Sequence, residues 1–492
     1  MSSLAGTPPT DPKRPAYLQA VGLNTASAIF TQVIGFGRSL ILTRLLTPDD
    51  YGIFSLTFVV TAAVQTLVNF NMANNVIRRK FTSIEEQNRY LDTTWSLELL
   101  RQVIVCAILL VLSWPAAKYF NDERLFPVLM LCSITPLING CANVGMVLLR
   151  KDIQFKNIVF HRQLSEVLTT IFAIVVALFT RNVWALASSQ VVGAIVSCLL
   201  SYRFHPYRPA FRVDRAALRE SFSFSSHLFL VTLFTYITTQ FDNLVVGRYL
   251  GAAVVGIYIL AYRLANLSSE AISEILSPVA FPAYSRIRHD NPDQLPGAFE
   301  LISTSGIAAV IATTLPLRLC AEWLIPFMYG AKWQAAAPML GTLIFVGILR
   351  GSARAISPLF LALEKPSVES SSKALEAFLF ITLNLVLVPK YQATGAIVAG
   401  IVSYAVAFLI RFVLSLAAFP GHSWRLFFQI GLVFVSAGAA YGVATALRPV
   451  LFHDLVAVLV FELIFAVLLF LLIGSIRRKI FSVFPLAKLR AA

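Results

Sequence analysis

Long apolar runs, separated by short polar stretches, recur along the whole chain. Hydrophobic residues make up 57% of the 492 residues and charged residues only 13%, whereas a soluble protein is about 45–50% apolar and about 25% charged. A membrane-spanning helix needs about 20 mostly apolar residues. We find fourteen such runs, at residues 19–42, 52–77, 94–116, 126–149, 158–180, 182–203, 224–246, 252–283, 298–326, 335–363, 368–388, 391–418, 425–447 and 450–474. The sequence therefore predicts an all-α polytopic membrane protein with about 14 transmembrane helices.

The formal net charge of the chain is +15, and the position of that charge decides what it implies. A nucleic-acid-binding protein gathers its basic residues on one face, beside aromatic residues that stack on bases. Here most of the 40 lysines and arginines lie in alternate short loops, on the side of the N-terminus. Because cytoplasmic loops of membrane proteins are enriched in Lys and Arg, we expect both termini in the cytoplasm and no nucleic-acid partner.

The sequence contains no recognisable metal or catalytic pattern. The five cysteines lie inside apolar runs and form neither a CxxC motif nor another metal-ligand spacing. No stretch between the runs is long enough to form a domain of its own. We therefore expect no metal, no cofactor and no catalytic residue, and we expect the helical bundle itself to carry the function.

One stretch of the sequence occurs twice. It reads "RLLTPDDYGIFSL" at residues 44–56 and "RYLGAAVVGIYIL" at residues 248–260, with five identical positions and a sixth that is aromatic in both copies. Each copy joins one predicted span to the next. Internal repeats are common in transporters, whose substrate site lies at the interface between the repeats. The repeat therefore predicts two pseudo-symmetric helical bundles.

Two adjacent aspartates in the first copy look like a paired-carboxylate site, but the second copy replaces them with alanine and valine. Thr47, Pro48 and Asp50 are residue types preferred at the N-cap, N1 and N3 positions of a helix. An acidic side chain there also lies near the positive end of the helix dipole. We therefore expect a capping box that begins the second span, and neither a metal site nor a catalytic pair.

Composition and the repeat together divide the chain into segments. Two sets of six spans flank the basic, partly amphipathic stretch "RFHPYRPAFRVDRAALRES", which we expect to bind anionic membrane lipids. The expected segments are a cytoplasmic N-terminal tail (1–18), an N-terminal six-helix bundle (19–203), a basic cytoplasmic linker (204–223), a C-terminal six-helix bundle (224–418), two additional transmembrane helices (425–474) and a basic cytoplasmic tail (475–492).

Three stretches resemble motifs of the lipopolysaccharide and exopolysaccharide flippases: "LTRLLTPDDYGIFSL", its echo "DNLVVGRYLGAAVVGIYILAYRLA" and "YGAKWQAAAPML". Those flippases belong to the multidrug/oligosaccharidyl-lipid/polysaccharide (MOP) exporter superfamily, and the resemblance extends over nearly the whole chain. It implies two bundles around a central cavity in the bacterial inner membrane. It also implies a cargo of polyprenyl-pyrophosphate-linked oligosaccharide, moved from the inner to the outer leaflet.

Six arginines remain inside the predicted spans after the basic residues near the span ends, and also Lys373 and Arg411, are assigned to the loops. Each costs at least about 2.5–3.5 kcal/mol at the centre of a bilayer on insertion scales, so each should face the bundle interior or a water-filled cavity. They are Arg38, Arg101, Arg263, Arg318, Arg350 and Arg354.

The neighbours of these arginines differ. Arg101 follows Glu98 by one helical turn, which favours a structural ion pair. Arg318 precedes a glutamate by one turn, and we expect a structural pair there as well. Arg350 and Arg354 lie one turn apart, so they repel each other and favour a bound anion.

The resemblance and the intramembrane polar residues together predict a substrate site. Guanidinium groups match phosphate oxygens and stay charged at any working pH, and amides and hydroxyls suit sugar hydroxyls. The expected substrate-binding residues of the cavity are Arg38, Arg263, Arg350, Arg354, Asn24, Thr31, Gln65, Asn69 and Asn266. The candidates for gating or ion coupling are Asp242, Glu270 and Glu274.

We therefore predict a transporter, not an enzyme, that translocates the lipid-linked repeat unit for exopolysaccharide or lipopolysaccharide synthesis by alternating access. The alternative is an ion-coupled drug exporter of the same superfamily, although such a protein would favour acidic and aromatic cavity faces over arginines. A membrane polysaccharide polymerase is less expected, because it would need a sizeable outer loop. Expected partners besides the substrate are a polysaccharide polymerase and chain-length or export machinery.

Overall fold

The computed structural model describes residues 14–68, 76, 79, 81–152, 155–212, 214–448 and 454–473, without the side chains of residues 14–26, 28–29, 155 and 215–231. All regular secondary structure in the described residues is helical. Internal packing divides the chain into two units, Met1–Leu233 and Phe234–Ala492. We call them the N-terminal unit and the C-terminal unit.

The described part of the N-terminal unit contains eight helices and the start of a ninth. They are α1 (Arg14–Leu45), α2 (Pro48–Leu67), α3 (Ile84–Phe120), α4 (Leu125–Cys132), α5 (Ile134–Gly140), α6 (Met146–Lys151), α7 (Phe155–Thr180), α8 (Trp184–Phe204) and α9 (Arg215–Leu250), which continues into the C-terminal unit.

The remaining helices belong to the C-terminal unit. They are α10 (Ala252–Asp290), α11 (Leu295–Thr314), α12 (Pro316–Tyr329), α13 (Ala336–Ala362), α14 (Pro366–Ala418), α15 (Ser423–Leu447) and α16 (Asp454–Leu472). Single turns of 3₁₀ helix precede α11 and α13, at Pro292–Gln294 and Ala331–Trp333.

The helices confirm the membrane-protein fold that the apolar runs predict. Ten helical stretches of the described residues are long and apolar enough to cross a membrane. One of them, α14, holds two predicted runs, because the chain kinks at Gln392, where φ is 56°. The helices α1 and α9 and the shorter apolar stretch Leu125–Gly140 coincide with the other three runs. The count of about fourteen spans is therefore consistent with the structure.

The two copies of the repeat each form a break between two helices. In the first copy, the backbone N–H of Asp50 donates to the Thr47 hydroxyl, and the Asp50 carboxylate accepts from the backbone N–H of Thr47, with Pro48 at the first helical position. This confirms the predicted capping box at the start of α2. In the second copy the break falls at Gly251, whose φ of +80° suits glycine.

The segment that follows α8 lies against polar residues of α3 and of the segment between α5 and α6. We call residues 205–212 the strap. The Asn143 amide donates to the carbonyls of His205 (3.1 Å) and Tyr207 (2.7 Å). Asp92, which is buried on α3, accepts from the Tyr207 hydroxyl and from the backbone N–H of Ala210. These bonds satisfy polar groups that would otherwise be buried without partners.

Candidate functional site

The helices α10 and α13 pack closely because glycines lie at their contact. A Cβ on Gly347 would lie 2.1 Å from the carbonyl oxygen of Ala265, and a Cβ on Gly351 would lie 2.9 Å from the Cβ of Ser269. Small residues let the backbones of transmembrane helices approach each other in this way. The contact fixes the spacing of the side chains one and two turns further along both helices.

Next to this contact, α10, α13 and α14 border a cavity of about 770 Å³ within the C-terminal unit. Its volume lies in the range typical of small-molecule sites, about 300–1,000 Å³. Unlike most such sites, it has a highly charged lining. The described lining includes the basic residues Arg350, Arg354, Lys373 and Arg411 and the acidic residues Glu270, Glu274, Glu369 and Glu376.

Four of these charged residues neutralise one another, and we call them the α14 cluster: Glu369, Lys373, Glu376 and Arg411. Arg411 donates to both carboxylate oxygens of Glu369, at 3.0 and 3.1 Å. Lys373 pairs with Glu376 at 2.8 Å, and Arg411 lies 3.7 Å from the same carboxylate. The side chains of Arg411 and Glu376 are both 3% exposed. Since Arg411 follows the kink and its partners precede it, the cluster ties the two halves of α14 together.

The two arginines of α13, which we call the α13 pair, have different surroundings. The Arg350 guanidinium donates to the Tyr262 hydroxyl at 3.1 Å and to the Asn266 amide oxygen at 3.4 Å. It also lies 5.8 Å from the centre of the Tyr404 ring. Neither Arg350 nor Arg354 has a carboxylate within 4.0 Å among the described residues. Both positive charges therefore face the cavity without a direct ion pair among the described residues, although Glu270 interacts electrostatically with both of them.

On α10, four cavity-lining side chains form the α10 strip: Glu270, Ser273, Glu274 and Ser277. Their spacing of three, one and three residues places them on one helical face. In the part of the chain that the structure describes, neither Glu270 nor Glu274 forms an ion pair. The strip therefore presents carboxylate and hydroxyl groups to the same cavity as the α13 pair.

The predicted gating residue Asp242 lies outside the lining of this cavity. It is 1% exposed, accepts a hydrogen bond from the Tyr258 hydroxyl at 2.7 Å, and accepts another from the backbone N–H of Asn243 at 2.9 Å. The structure therefore brings together Arg350, Arg354, Glu270 and Glu274 around the cavity, whereas Asp242 lies outside its lining in a buried network between α9 and α10 and interacts electrostatically with Arg350.

The other predicted site residues are dispersed. Arg263 is exposed on α10 and is absent from the described lining of the cavity. In the N-terminal unit, Arg38 pairs with Glu166 at 3.2 Å, and the Thr31 hydroxyl donates to a backbone carbonyl one turn earlier at 2.9 Å. Gln65 is half-buried on α2. The Asn24 side chain and Asn69 lie outside the described residues.

Two further intramembrane arginines show how such charges are satisfied without a ligand. Arg101 pairs with Glu98, as predicted. Arg318 departs from the prediction, because its guanidinium donates to the Tyr441 hydroxyl at 2.8 Å and to a backbone carbonyl. The expected partner, Glu322, pairs with Arg448 instead. The cross-helix partner Tyr441, 123 residues away in the chain, was not visible from local spacing.

The charge pattern places Arg411 and Lys373 in loops, whereas in the structure both line the cavity. Arg411 falls inside the predicted run 391–418, so the cost of a charge inside a span was a signal that could have identified it. For metals, the described residues contain no group of three or more His, Cys, Asp or Glu side chains arranged to hold an ion.

The chain is similar to known proteins over most of its length. A family described as "Polysaccharide biosynthesis protein" matches residues 41–338, more than half of the chain. The lipopolysaccharide biosynthesis protein WzxC of Escherichia coli strain K12 is 26% identical over 393 residues, 78% of this chain and 76% of that protein. The succinoglycan biosynthesis transport protein ExoT of Rhizobium meliloti strain 1021 is 23% identical over 411 residues, 83% of this chain and 79% of that protein.

A solved structure also resembles the chain. The lipid II flippase MurJ, in an inward closed conformation, superimposes with a TM-score of 0.68 and covers 91% of this chain and 98% of that chain. At 14% sequence identity this likeness concerns the fold alone. The fold agrees with the predicted helical bundles, and the matched family confirms the resemblance to proteins of polysaccharide biosynthesis. The chain is a multi-pass membrane protein that belongs to the polysaccharide biosynthesis protein family.

Proposed function

We propose that the protein translocates polyprenyl-pyrophosphate-linked oligosaccharide repeat units across the cytoplasmic membrane, for exopolysaccharide or lipopolysaccharide synthesis, by alternating access. In this proposal the charged head group crosses the membrane through the helical bundles while the polyprenyl chain stays in the lipid. The family of the chain and the transport function in the name of its relative ExoT both support this function.

The α13 pair is the observation that carries the proposal. Two guanidinium groups one helical turn apart face a cavity without carboxylate partners among the described residues, although unpaired charges are costly inside a membrane. Guanidinium groups bind phosphate oxygens through two parallel hydrogen bonds. A pyrophosphate carries enough negative charge and enough acceptor oxygens to satisfy both arginines, and we assign Arg350 and Arg354 that role.

The remaining predicted substrate and coupling residues stay part of this proposal. Arg38, Thr31, Gln65 and the undescribed Asn24 and Asn69 would contact the head group from the N-terminal unit. Asn266 would act through Arg350, from whose guanidinium it accepts a hydrogen bond. Arg263 would contact the head group at another step of the cycle, and Asp242, Glu270 and Glu274 stay candidates for gating or ion coupling without an assigned step.

The location, segments and partners of the protein follow from the same proposal. We place it in the bacterial inner membrane with both termini in the cytoplasm, because the basic residues concentrate in the loops on that side. The predicted segments, including the basic linker (204–223) and its attraction to anionic lipids, remain proposals. A polysaccharide polymerase and chain-length or export machinery would receive the translocated repeat unit.

An ion-coupled drug exporter of the same superfamily is the second candidate. The unpaired carboxylates of Glu270 and Glu274 favour it, because carboxylates bind cationic drugs. The α13 pair disfavours it, since two positive charges in the same cavity repel a cation. Export of cationic dyes by the purified protein, without translocation of the lipid-linked oligosaccharide, would favour this candidate.

Translocation in reconstituted vesicles tests the proposal. Vesicles with and without the protein receive a lipid-linked oligosaccharide, and the fraction of head groups reaching the opposite leaflet is measured over time. We expect the wild-type protein to accelerate translocation and the Arg350→Gln/Arg354→Gln variant to lose at least about tenfold in rate, because each charge-assisted hydrogen bond contributes about 1.5–3 kcal/mol.

Arg318→Gln is the matched control, since it removes an intramembrane arginine whose partners are a tyrosine and a backbone carbonyl. We expect this variant to keep the rate per folded molecule. Equal translocation with and without the wild-type protein would refute the proposed function. A normal rate in the α13 double variant would remove these arginines from the site.

A further inference from the structure

The α10 strip lies beside the α13 pair, and the proposed function leaves its role open. Arg350 donates to Tyr262 and Asn266, which both belong to α10. Asn266 lies one helical turn before Glu270. A phosphate held by Arg350 would therefore lie close to the first carboxylate of the strip, because the glycine contact at Gly347 and Gly351 holds the two helices together.

The charges of the cavity also limit what the strip can bind. The α14 cluster is neutral by itself, with two acidic and two basic residues in mutual contact. It therefore supplies no free cation to Glu270 or Glu274. The α13 pair, which interacts electrostatically with Glu270, is the part of the lining suited to the pyrophosphate. The two carboxylates of the strip are left for the portion of the head group that follows the pyrophosphate.

Carboxylates at these positions select a particular sugar chemistry. An ionised carboxylate only accepts hydrogen bonds, through two oxygens, and two neighbouring sugar hydroxyls are suitable donors. The Ser273 hydroxyl donates to the carbonyl of Ser269 at 2.6 Å and can still accept from the sugar, and the Ser277 hydroxyl, on the same face, can donate or accept. A carboxylate on the sugar itself would be repelled by Glu270 and Glu274, and more strongly so in a cavity of lower dielectric constant than water.

Resting on the proposed function, we infer that the α10 strip binds the sugar attached directly to the pyrophosphate, and that this sugar carries no negative charge and donates hydroxyl or amide hydrogen bonds to Glu270 and Glu274. The strip is then a specificity filter that rejects a uronic acid at this position. Acidic sugars further from the pyrophosphate are not restricted by it.

The test compares two synthetic substrates that differ at one carbon. They are polyprenyl-pyrophosphate-linked glucose and the corresponding glucuronic acid, and their translocation is measured in vesicles containing the wild-type protein. We expect the glucose lipid to be translocated at least about tenfold faster, a difference of about 1.4 kcal/mol. In the Glu270→Gln/Glu274→Gln variant, which keeps the side-chain size, we expect the two rates to differ less than about threefold.

Glu462→Gln is the matched control, because Glu462 lies on the apolar helix α16 and is absent from the described lining of the cavity. It should keep the wild-type preference. Equal rates for the two lipids with the wild-type protein would overturn the inference while leaving the proposed function intact, and this comparison needs no variant to fold. A preference that persists in the Gln variant would overturn the assignment to the strip. Translocation of neither lipid would overturn the proposed function, and the inference with it.

Discussion

The α14 cluster and the α13 pair line the same cavity, but only the positive charges of the cluster are paired with carboxylates among the described residues. Arg411 is 3% exposed and contacts two carboxylates of its own helix. Arg350 is 8% exposed and contacts a tyrosine hydroxyl and an amide oxygen, without a carboxylate in reach among the described residues. A buried arginine is thus not in itself a sign of a binding site.

The cluster and the pair differ in how their buried positive charges are compensated. Burying a charge is costly unless it is paired and hydrogen-bonded, and the α14 cluster meets that requirement within the chain. The α13 pair has hydrogen bonds for only part of its ten guanidinium N–H donors, so the missing partner is expected to come from a ligand. The cluster is therefore a structural element and the pair is a binding element. We expect mutations in the cluster to lower stability and mutations in the pair to lower transport.

The largest effect on stability is expected in the α14 cluster. Arg411→Gln leaves Glu369 and Glu376 with one cation between them, and breaking a buried ion pair from one side costs about 3–5 kcal/mol. We expect that loss in the unfolding free energy of the purified protein, measured by chemical denaturation in detergent.

A compensating variant checks the physical cause. Arg411→Gln combined with Glu369→Gln restores a neutral cluster, so we expect it to recover at least half of the lost stability. Stability that falls further in the combined variant would show that the cluster is not held by charge compensation.

A polar network in the N-terminal unit, between Asp92 and the strap, likewise satisfies its buried polar groups within the chain. Asp92→Ala leaves the Tyr207 hydroxyl and the backbone N–H of Ala210 without their acceptor. We expect a loss of about 1–3 kcal/mol, the cost of unsatisfied buried polar groups. Asp92→Asn is the control, because its amide oxygen can still accept, and it should lose less. Increased hydrogen exchange confined to the strap would locate the effect; unchanged exchange there would contradict it.

In contrast to the α14 cluster and the Asp92 network, the α13 pair should contribute little to stability and much to translocation. Replacing both arginines with glutamine removes two charges that repel each other and that have no carboxylate partners among the described residues. Relief of this repulsion offsets the lost hydrogen bonds to Tyr262 and Asn266, so we expect the unfolding free energy to change by less than about 1.5 kcal/mol, while translocation is lost. A loss as large as that of Arg411→Gln would mean that the pair is structural.

The smallest effect is expected from His205 in the strap. Burial lowers the pKa of His205 below its ordinary value of 6.5, although the nearby Asp152 opposes the shift. Because the folded state prefers the neutral imidazole, its contribution to stability is complete above pH 6.5 and is lost as the pH falls through the lowered pKa. Melting temperatures at about pH 7.5 and about pH 5.5 should differ less for His205→Gln than for the wild type. An identical pH dependence would exclude His205.

Local chemistry made part of this structure predictable from the sequence. The capping box of Thr47 and Asp50 depends on residues three positions apart, and the apolar runs depend on composition alone, so both could be identified before the fold was known. The ion pair between Glu98 and Arg101, one helical turn apart, is local in the same sense.

Contacts between distant segments were not predictable in this way. Arg318 contacts Tyr441 instead of its neighbour Glu322, because the rotation and packing of two helices decide which side chains meet. The same holds for Arg411, whose partner Glu369 lies 42 residues earlier on the other side of a kink. The sequence identified Arg350 and Arg354 through their mutual repulsion, but only the packing shows which carboxylates lie out of their reach.

Binding of a polyprenyl pyrophosphate to the purified protein tests the central claim most directly, since it isolates the head-group anion from the sugars and from the transport cycle. Affinities are measured for the wild-type protein and the Arg350→Gln/Arg354→Gln variant at the same ionic strength. We expect the variant to bind at least about tenfold more weakly, a difference of about 1.4 kcal/mol. Equal affinities would contradict it.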